Sequence, residues 1–419
     1  NITGTASAIL FGGPGAVFWL CMMAIICSMS AYIESALAQV WKEKYNGEYA
    51  GGPSFYMNKG LKFKPAGVFY ALLSVIFLII FAGVQTNAFS SVAVASFNIS
   101  PFIVAVIYTI LLVLVIFGGA KAIANVADKV VPFMSISYVA VAILLILINI
   151  TKVPAMFSLI IRSALSMDAV FGGIVGASIS WGVRRGVFSN EAGLGTGAWV
   201  AGCADVSHPA KAGLSQAFSI FISLLICIAT SLMILITDSY NVVGANGNYI
   251  VQNIVGDYDV FTTKSIDSVI SGFGSVFISL AMFLFTFTTI MAYSIYLNNI
   301  NYFFFGGHTN KKNIKLISIL INIAITILAF FGPLVKSSTI WSMASAMCGI
   351  ISLINLISLI LLYKPGIATL KDYERQLKMG IEPVFIPEEC GIKDAELWNK
   401  IIEEDYSEEL ANYKKVFKE

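Results

Sequence analysis

The sequence predicts an all-α membrane protein with several spanning helices. Of its 419 residues, 58% are hydrophobic and only 12% are charged, and the mean hydropathy is +0.83. A soluble domain usually carries about twice that share of charged residues. The apolar residues also fall in long blocks, and a block of about 20 apolar residues is long enough to cross a bilayer as a helix.

Nine apolar blocks of spanning length follow one another along the chain. They cover residues 14–40, 66–97, 101–119, 131–150, 168–200, 212–237, 268–298, 314–334 and 337–363. A shorter apolar piece, Ile2 to Phe11, resembles the second half of a further span. Because the first residue is Asn1, we expect the chain to be truncated at its start. The sequence thus predicts a transmembrane domain over 1–363 and a polar tail over 364–419, which we expect to be largely solvated.

Basic residues predict the orientation of these spans. Alternate loops hold Lys42, Lys44, Lys59, Lys62, Lys64, Lys121, Lys129, Lys211, Lys311, Lys312 and Lys315. The opposite loops hold only Lys152, Arg162, Lys264 and Lys336. Since lysine and arginine concentrate in cytoplasmic loops, we expect a multi-pass protein of the plasma membrane with its C-terminus in the cytoplasm. The long loop 238–267 would then form a partly structured cover outside.

The fifth block carries the most informative segment, WGVRRGVFSNEAGLGTGAWVAGCADVSHPAKAG (Trp181 to Gly213). Charged and glycine-rich sequence inside a span must be buried in protein or line a cavity. The apolar run ends at Ser180, so we predict that Ser180, Trp181 and Gly182 are unwound. Unwinding exposes carbonyls that can bind a cation and N–H groups that can bind a carboxylate. Broken spans of this kind bind substrate and coupling ions in secondary transporters. The alternative is that the small residues only let helices pack closely.

Two discontinuous elements stand five spans apart, at the start of the chain and in the fifth block. That spacing suits two five-helix halves whose first helices are both broken.

Charged residues near the fifth block predict a gate. A buried charge needs a partner, so either Arg184 or Arg185 is expected to pair with Glu191 or with Glu34, which lies near the inner end of the first full span. The pair would close the cytoplasmic side. The alternative is that one of the two arginines simply anchors the helix end.

Polar side chains inside apolar spans predict contacts with a solute. Gln85 and Asn87 lie in FAGVQTNAFSS, and amides at that depth usually face the bundle interior. They could bind a zwitterion or cross-link helices. Thr286, Thr288 and Thr289 lie in LFTFTTIMAYS. Hydroxyl oxygens suit a small hard cation such as sodium, although threonine also bonds back to its own helix.

Other chemistry is not indicated. The six cysteines form no CxxC pair, which argues against a disulfide framework or a zinc site, and no nucleophile–base–acid arrangement indicates an enzyme. Gly193 to Gly197 reads GLGTG without a preceding strand, so small-residue packing explains it better than a dinucleotide loop. Ser207-His208-Pro209 is typical of a helix cap. We expect no organic cofactor, no resident metal and no nucleic-acid partner.

Four motifs carry a resemblance to a known family. RRGVFSNEAGLGTGA resembles the signature that follows its broken helix, and Asn1-Ile2 with GGPGAVFW (Gly12 to Trp19) resembles the segment after its first broken helix. AGGPSFYMNKGL (Ala50 to Leu61) and VQTN (Val84 to Asn87) match as well. By these motifs, spread to about residue 363, the chain resembles the alanine or glycine:cation symporter family.

The resemblance implies a five-plus-five inverted-repeat fold of the leucine-transporter type, which moves small neutral amino acids with sodium or protons. It also implies an additional N-terminal helix and a Gly-Thr-Gly loop before the residue that matches Asn1. Positions at or near the family's substrate and ion sites match Gln85, Trp181, Gly182, Thr288 and Thr289.

Several polar positions depart from the family pattern. Ala82 stands where the family usually has asparagine, Ala31 where it has lysine, Ser223 and Ser345 where it has acidic residues, and Ile354-Asn355 where it has Pro-Asn. These departures imply a retuned substrate size or coupling ion.

We therefore expect an alternating-access symporter, acting as a monomer, with a small neutral amino acid at the bilayer midplane. Its carboxylate would face helix N-terminal N–H groups, and its ammonium would face unwound carbonyls and Gln85. The expected substrate-binding residues are Asn1, Gln85, Ser180, Trp181, Gly182 and Thr289. A sodium ion would lie at Thr288 and Thr289. The alternative is a non-transporting amino-acid sensor that signals through its tail.

Overall fold

The computed structural model describes residues 1–45, 47–168, 170–244, 246–306 and 311–418. It is built almost wholly from helices. In chain order they are α1 (Ile2–Gly12), α2 (Gly15–Val40), α3 (Pro53–Lys59), α4 (Lys64–Phe97), α5 (Pro101–Ile116), α6 (Gly119–Ile148), α7 (Val153–Ala164), α8 (Val175–Asn190), α9 (Thr196–Ala201), α10 (Pro209–Ile236), α11 (Phe261–Asp267), α12 (Phe273–Phe305), α13 (Lys311–Phe331), α14 (Ser337–Leu361), α15 (Tyr363–Lys378), α16 (Leu397–Asp405) and α17 (Ser407–Lys418).

Three single-turn 3₁₀ helices (Ile150–Lys152, Gly172–Ile174 and Gly332–Leu334) and two short antiparallel hairpins complete the described elements. Strands β1 (Glu43–Tyr45) and β2 (Glu48–Ala50) pair directly after α2. Strands β3 (Asn241–Val243) and β4 (Tyr249–Gln252) pair in the long loop 238–267, which also contains α11. The expectation that this loop is partly structured is therefore confirmed.

Each predicted apolar block corresponds to a helix or, for the fifth, to the pair α8 and α9. Within the described ranges, seven helices are long and apolar enough to cross a membrane. The prediction of an all-α polytopic membrane protein is confirmed. The five-plus-five inverted repeat stays a prediction.

Local sequence signals set several helix boundaries. Asn98 ends α4 in the left-handed conformation (φ 52°), and Ser100 accepts a hydrogen bond from Phe102 N at 3.3 Å to cap α5. The predicted cap of α10 is confirmed, since His208 Nδ1 accepts from Ala210 N at 3.1 Å and Pro209 occupies the first turn. Side-chain acceptors thus satisfy helix N–H groups that lack an acceptor within the helix.

The predicted unwinding at Ser180, Trp181 and Gly182 is wrong, because α8 runs continuously from Val175 to Asn190. Gly182 instead allows close packing on α2. A Cβ atom there would lie 2.5 Å from Ala16 O and 2.6 Å from Trp19 Cβ, so only glycine fits. The alternative interpretation of small residues, close helix packing, explains this position.

The chain leaves the helix later, over residues 191–195. Glu191 (φ 51°), Gly193 (φ 82°) and Gly195 (φ 80°) all adopt the left-handed conformation, and α9 begins directly afterwards. Glycine reaches this region without steric cost. The fifth span is therefore discontinuous, as predicted, but its break lies at the SNEAGLG sequence.

Helix packing places this break in the interior. Helix α2 packs along α8 and α10, and α4 packs along α12, α13 and α14. Helix α1 lies against both α8 and α10. The start of α1 and the end of α8 consequently meet within the bundle.

The C-terminal tail packs on one end of the bundle, here named the tail face. Trp398 is fully buried, and its Nε1 donates to Gln39 O at 3.0 Å. Trp41 Nε1 donates to Lys393 O at 3.0 Å, and Ser207 Oγ donates to Pro383 O at 2.7 Å. The tail is thus a packed element, and the expectation of a largely solvated extension is wrong. The opposite end, with loop 238–267, is named the loop face.

Lys42 lies buried beneath the tail. Its side chain is 1% exposed, its Nζ donates to Ala204 O at 3.2 Å, and it lies 4.1 Å and 4.5 Å from the ring centres of Tyr49 and Trp398. Burial lowers the pKa of the Lys42 amine to about 7, although the Asp205 carboxylate opposes the shift. Below pH 7, folding must therefore bury a charged amine.

We expect Lys42→Met to change how stability depends on pH. Between pH 7 and the amine's ordinary pKa of 10.5, the unfolded chain binds more protons than the folded chain, so wild-type stability should rise with pH across that window. Lys42→Met should raise the unfolding temperature near pH 7 and flatten this rise. Ala204 O would stay paired, since Gln39 Nε2 also donates to it at 2.9 Å.

Thermal unfolding of the purified protein at several pH values measures the effect. Lys64→Met, at an exposed lysine that begins α4, is the matched control and should keep the wild-type pH profile. Parallel pH profiles for Lys42→Met and the wild type would contradict the assignment.

Candidate functional site: a cavity between two helix ends

A central cavity of about 270 Å³ lies where α1 begins and α8 ends. Its walls come from the first turn of α1, the middle of α4 and α12, the last turns of α8, two residues of α10 and one of α14. This volume lies just below the usual range of about 300–1,000 Å³ for ligand pockets. The cavity therefore suits a small solute.

The two helix ends give the central cavity opposite partial charges. On one side, Ile2, Thr3 and Gly4 form the first turn of α1, whose N–H groups have no acceptor within the helix. On the other side, Ser189 and Glu191 lie at the C-terminal end of α8. A helix N-terminus favours a negative group and a helix C-terminus a positive group. The arrangement matches a zwitterion.

Three of the predicted substrate residues line the central cavity: Asn1, Gln85 and Thr289. Gln85 Nε2 donates to Tyr293 Oη at 3.3 Å. Asn1 Oδ1 accepts from Ser189 Oγ, which ties the start of α1 to the end of α8. Thr289 Oγ1 donates to Phe285 O at 2.8 Å, so its lone pairs remain for another ligand.

The other predicted substrate and cation residues lie elsewhere. Ser180 is exposed, Gly182 packs on α2, and Trp181 stacks on Phe11 with ring centres 4.5 Å apart. Thr288 Oγ1 donates back to Leu284 O at 2.9 Å, and Thr288 is not among the residues that line the central cavity. The structure thus separates the two threonines that the sequence placed together.

Asn87 cross-links helices, the second of its two predicted roles. Its Nδ2 donates to Gly332 O and to Val335 O, both at 2.9 Å, and its Oδ1 accepts from Ser337 Oγ at 2.8 Å. All of these groups lie at the junction of α4 with the turn between α13 and α14.

A second cavity, the vestibule, opens on the loop face with a volume of about 670 Å³. Trp181, Arg184 and Asp257 line it, together with serines of α14. Arg185 and Trp341 line both the vestibule and the central cavity. These two side chains therefore stand at the junction between the cavities.

A third, polar cavity of about 200 Å³ adjoins the central cavity on the other side and is named the side cavity. Ser189, Glu191 and Ser223 line both. Glu34 and Gln216 line the side cavity as well. Within the part of the chain that the structure describes, no group of three or more histidine, cysteine, aspartate or glutamate residues could hold a metal ion.

The ion pair predicted for the gate is not formed in this structure, and the gate itself stays a prediction. Among the described residues, no ion pair joins Arg184 or Arg185 to Glu34 or Glu191. The two arginines precede the break on α8 and face the vestibule beside Asp257. Glu34 lies on α2, behind the break, so the charges that the sequence paired belong to different parts of the site.

Glu34 instead holds the break together. It is 1% exposed, and its Oε2 accepts from Gly193 N at 3.1 Å, Gly195 N at 3.2 Å and Asn355 Nδ2 at 3.0 Å. Asn355 Nδ2 also donates to Gly193 O at 3.1 Å. Buried backbone groups that no helix satisfies need such partners.

Sequence reasoning missed the roles of Trp341 and Ser189 in the site. Trp341 lies in an apolar span and carries no local signal. Ser189 belongs to the SNEAG sequence, so the signature itself could have pointed to it once the break was placed correctly.

We expect Glu34→Leu to destabilise the protein strongly. It would leave the N–H groups of Gly193 and Gly195 without an acceptor and Asn355 Nδ2 with only Gly193 O. Each buried unpaired polar group costs about 1–3 kcal/mol. Glu34→Gln, which retains one amide oxygen as an acceptor, should cost less. Denaturant unfolding of the purified protein in detergent gives the two free energies.

Ser35→Ala is a matched control, because Ser35 is fully buried next to Glu34 and its Oγ has no partner among the described residues. It should change stability little. Equal losses for Ser35→Ala and Glu34→Leu would show that the Glu34 hydrogen bonds are not what holds the break.

Comparison with known proteins places this arrangement in context. The model of a family described as "Sodium:alanine symporter family" matches residues 1–387. The "Putative sodium/proton-dependent alanine carrier protein YrbD" of Bacillus subtilis is 45% identical, over 96% of this chain and 83% of its own. The "Sodium/proton-dependent alanine carrier protein" of Bacillus sp. PS3 is 39% identical, over 95% of this chain and 89% of its own. The "Amino-acid carrier protein AlsT" of Bacillus subtilis is 36% identical, over 95% of this chain and 82% of its own length.

Proposed function

Because the chain belongs to the sodium:alanine symporter family, whose members are transporters and not enzymes, we propose that it couples the uptake of a small neutral amino acid to an inward cation gradient. The observation that carries this proposal is the central cavity between the start of α1 and the end of α8. Alanine-sized substrates fit its volume, and alanine is the substrate in the names of two relatives.

The amino acid would lie between the two helix ends. Its carboxylate would bind near the first turn of α1, where helix N–H groups point toward the cavity. Its ammonium would lie near Ser189 and Glu191 at the end of α8, with the amide of Gln85 beside it. Discontinuous helices bind solutes in this way in secondary transporters.

The coupling cation would bind next to the amino acid. Thr289 supplies a hydroxyl oxygen to the central cavity, and oxygen ligands suit sodium. Glu191 lines both the central and the side cavity and offers a carboxyl group for a proton or a cation. Coupling requires that amino acid and cation each bind more tightly when the other is present.

Alternating access would open the central cavity to one side of the membrane at a time. We place the tail face in the cytoplasm, because Lys42, Lys44 and Lys59 lie in its loops and lysines favour that side. The vestibule then opens outside the cell, and Arg185 and Trp341 separate it from the central cavity.

A non-transporting sensor is the second candidate, and the packed tail is the observation that favours it. Hydrogen bonds of Trp398 and Trp41 connect the tail to the end of α2 and the segment after it, so a movement of the bundle would reach it. Reconstituted liposomes distinguish the two: saturable binding of alanine without sodium-driven accumulation would favour the sensor.

The two neighbouring threonines provide a sharp test of the cation site. Thr289→Ala should raise the sodium concentration needed for half-maximal alanine uptake about tenfold, as expected for the loss of one oxygen ligand to a charged group. Thr288→Ala is the matched control, since Thr288 does not line the central cavity, and it should retain the wild-type sodium dependence.

Uptake of labelled alanine into proteoliposomes at graded sodium concentrations measures both variants. If Thr288→Ala shifted the sodium dependence and Thr289→Ala did not, the cation would lie elsewhere on α12. If neither changed it, threonine hydroxyls would play no part.

A further inference from the structure

Arg185 is a buried cation that forms no ion pair with any residue the structure describes. Its side chain is 7% exposed, and its Nε and Nη1 have no hydrogen-bond partner within the described residues. A buried charge with unpaired donors is strongly unfavourable unless something compensates it.

Aromatic rings surround the Arg185 guanidinium but cannot satisfy all of its donors. Its central carbon lies 4.7 Å from the ring centre of Trp341, 5.1 Å from that of Trp181 and 5.7 Å from that of Phe188. Cation–π contacts offset part of the cost of burying the charge. The N–H groups at the edge of the guanidinium need acceptors in its plane, and stacked rings do not provide them.

The acidic residue that lines the vestibule does not compensate Arg185. Asp257 is exposed, and its Oδ1 accepts from Tyr258 N at 2.8 Å. Arg184 lines the vestibule too, but it is exposed, so water can solvate its charge and its N–H donors.

The position of Arg185 identifies the missing partner. It lines the vestibule and the central cavity alike, so a solute that moves from one to the other passes its guanidinium. Arginine presents paired donors that match the two oxygens of a carboxylate. Every amino acid carries such a group.

We propose that Arg185 binds the carboxylate of the amino acid where the vestibule meets the central cavity, and thereby selects solutes with a free carboxylate. This inference rests on the proposed function. Trp341, which packs on the guanidinium, would have to move for the solute to pass, and the carboxylate would then reach the first turn of α1. Exposed Arg184 plays no part.

Ligand binding to the purified full chain tests the proposal. In chloride-free sodium methanesulfonate, whose anion is not a carboxylate, alanine should raise the unfolding temperature of the wild type, and alaninamide, which lacks the carboxylate, should not. Arg185→Gln should bind alanine at least about tenfold more weakly, the loss expected for charged hydrogen bonds. Arg184→Gln is the matched control and should bind alanine as the wild type does.

The unliganded proteins give a second readout, which a purely structural arginine would not produce. Removing an uncompensated buried charge should leave ligand-free Arg185→Gln at least as stable as the ligand-free wild type. A marked loss of stability with unchanged alanine affinity would overturn the proposal. Unchanged affinity alone would overturn it as well.

Chemical modification of the wild type avoids dependence on a folded variant. Alanine should protect Arg185 from phenylglyoxal, and alaninamide should not, with Arg184 as the internal reference in site-resolved mass spectrometry. Absence of protection would overturn the proposal, and so would equal protection by chloride alone with no further effect of alanine. If no amino acid changed the unfolding temperature of the wild type or its modification by phenylglyoxal, the proposed function itself would fail.

Discussion

The hydrogen bonds of Glu34 are the constraint on which the rest of the site depends. A chain that leaves its helix inside an apolar bundle exposes backbone groups that neither lipid nor water can satisfy there. Glu34 accepts from two of these N–H groups, of Gly193 and Gly195, and from the amide of Asn355. One side chain of α2 thereby joins the break after α8 to α14. The central cavity exists because α8 can end at this point.

The ends of two short helices then define the chemistry of the cavity. Helix α1 presents its N-terminus and α8 its C-terminus, so partial charges of opposite sign face the same small volume. Polar side chains such as Gln85 and Thr289 add specific contacts. Arg185 and Trp341 lie between the central cavity and the vestibule on the loop face. The backbone thus supplies most of the polarity, and few charged side chains are needed.

Much of the fold could be predicted from the sequence, because a helix that crosses lipid needs a long block of apolar residues. Every predicted block corresponds to one helix, except the fifth, which corresponds to α8 and α9. The His208–Pro209 cap begins α10 as expected. The position of the break could not be predicted from hydropathy alone. The apolar run ends at Ser180, but Gly182 continues the helix because it packs on Ala16 and Trp19 of α2, a contact between segments that are distant in sequence.

The site could be predicted only in part for the same reason. Gln85 and Thr289 line the central cavity, whereas Thr288, one residue away, lies outside its lining. Helical rotation decides between neighbours, and apolar residues on all sides of α12 give no periodic signal to fix it. Pairing of Arg185 with Glu34 was likewise inferred from charge alone. The three-dimensional arrangement places one at the vestibule and the other behind the break.

An experimental density map of the protein with L-alanine and sodium would show directly where the amino acid binds. We expect density for one amino acid between the first turn of α1 and Ser189–Glu191, with Gln85 in contact. At saturating alanine, an empty central cavity, or an amino acid bound away from both helix ends, would contradict this expectation.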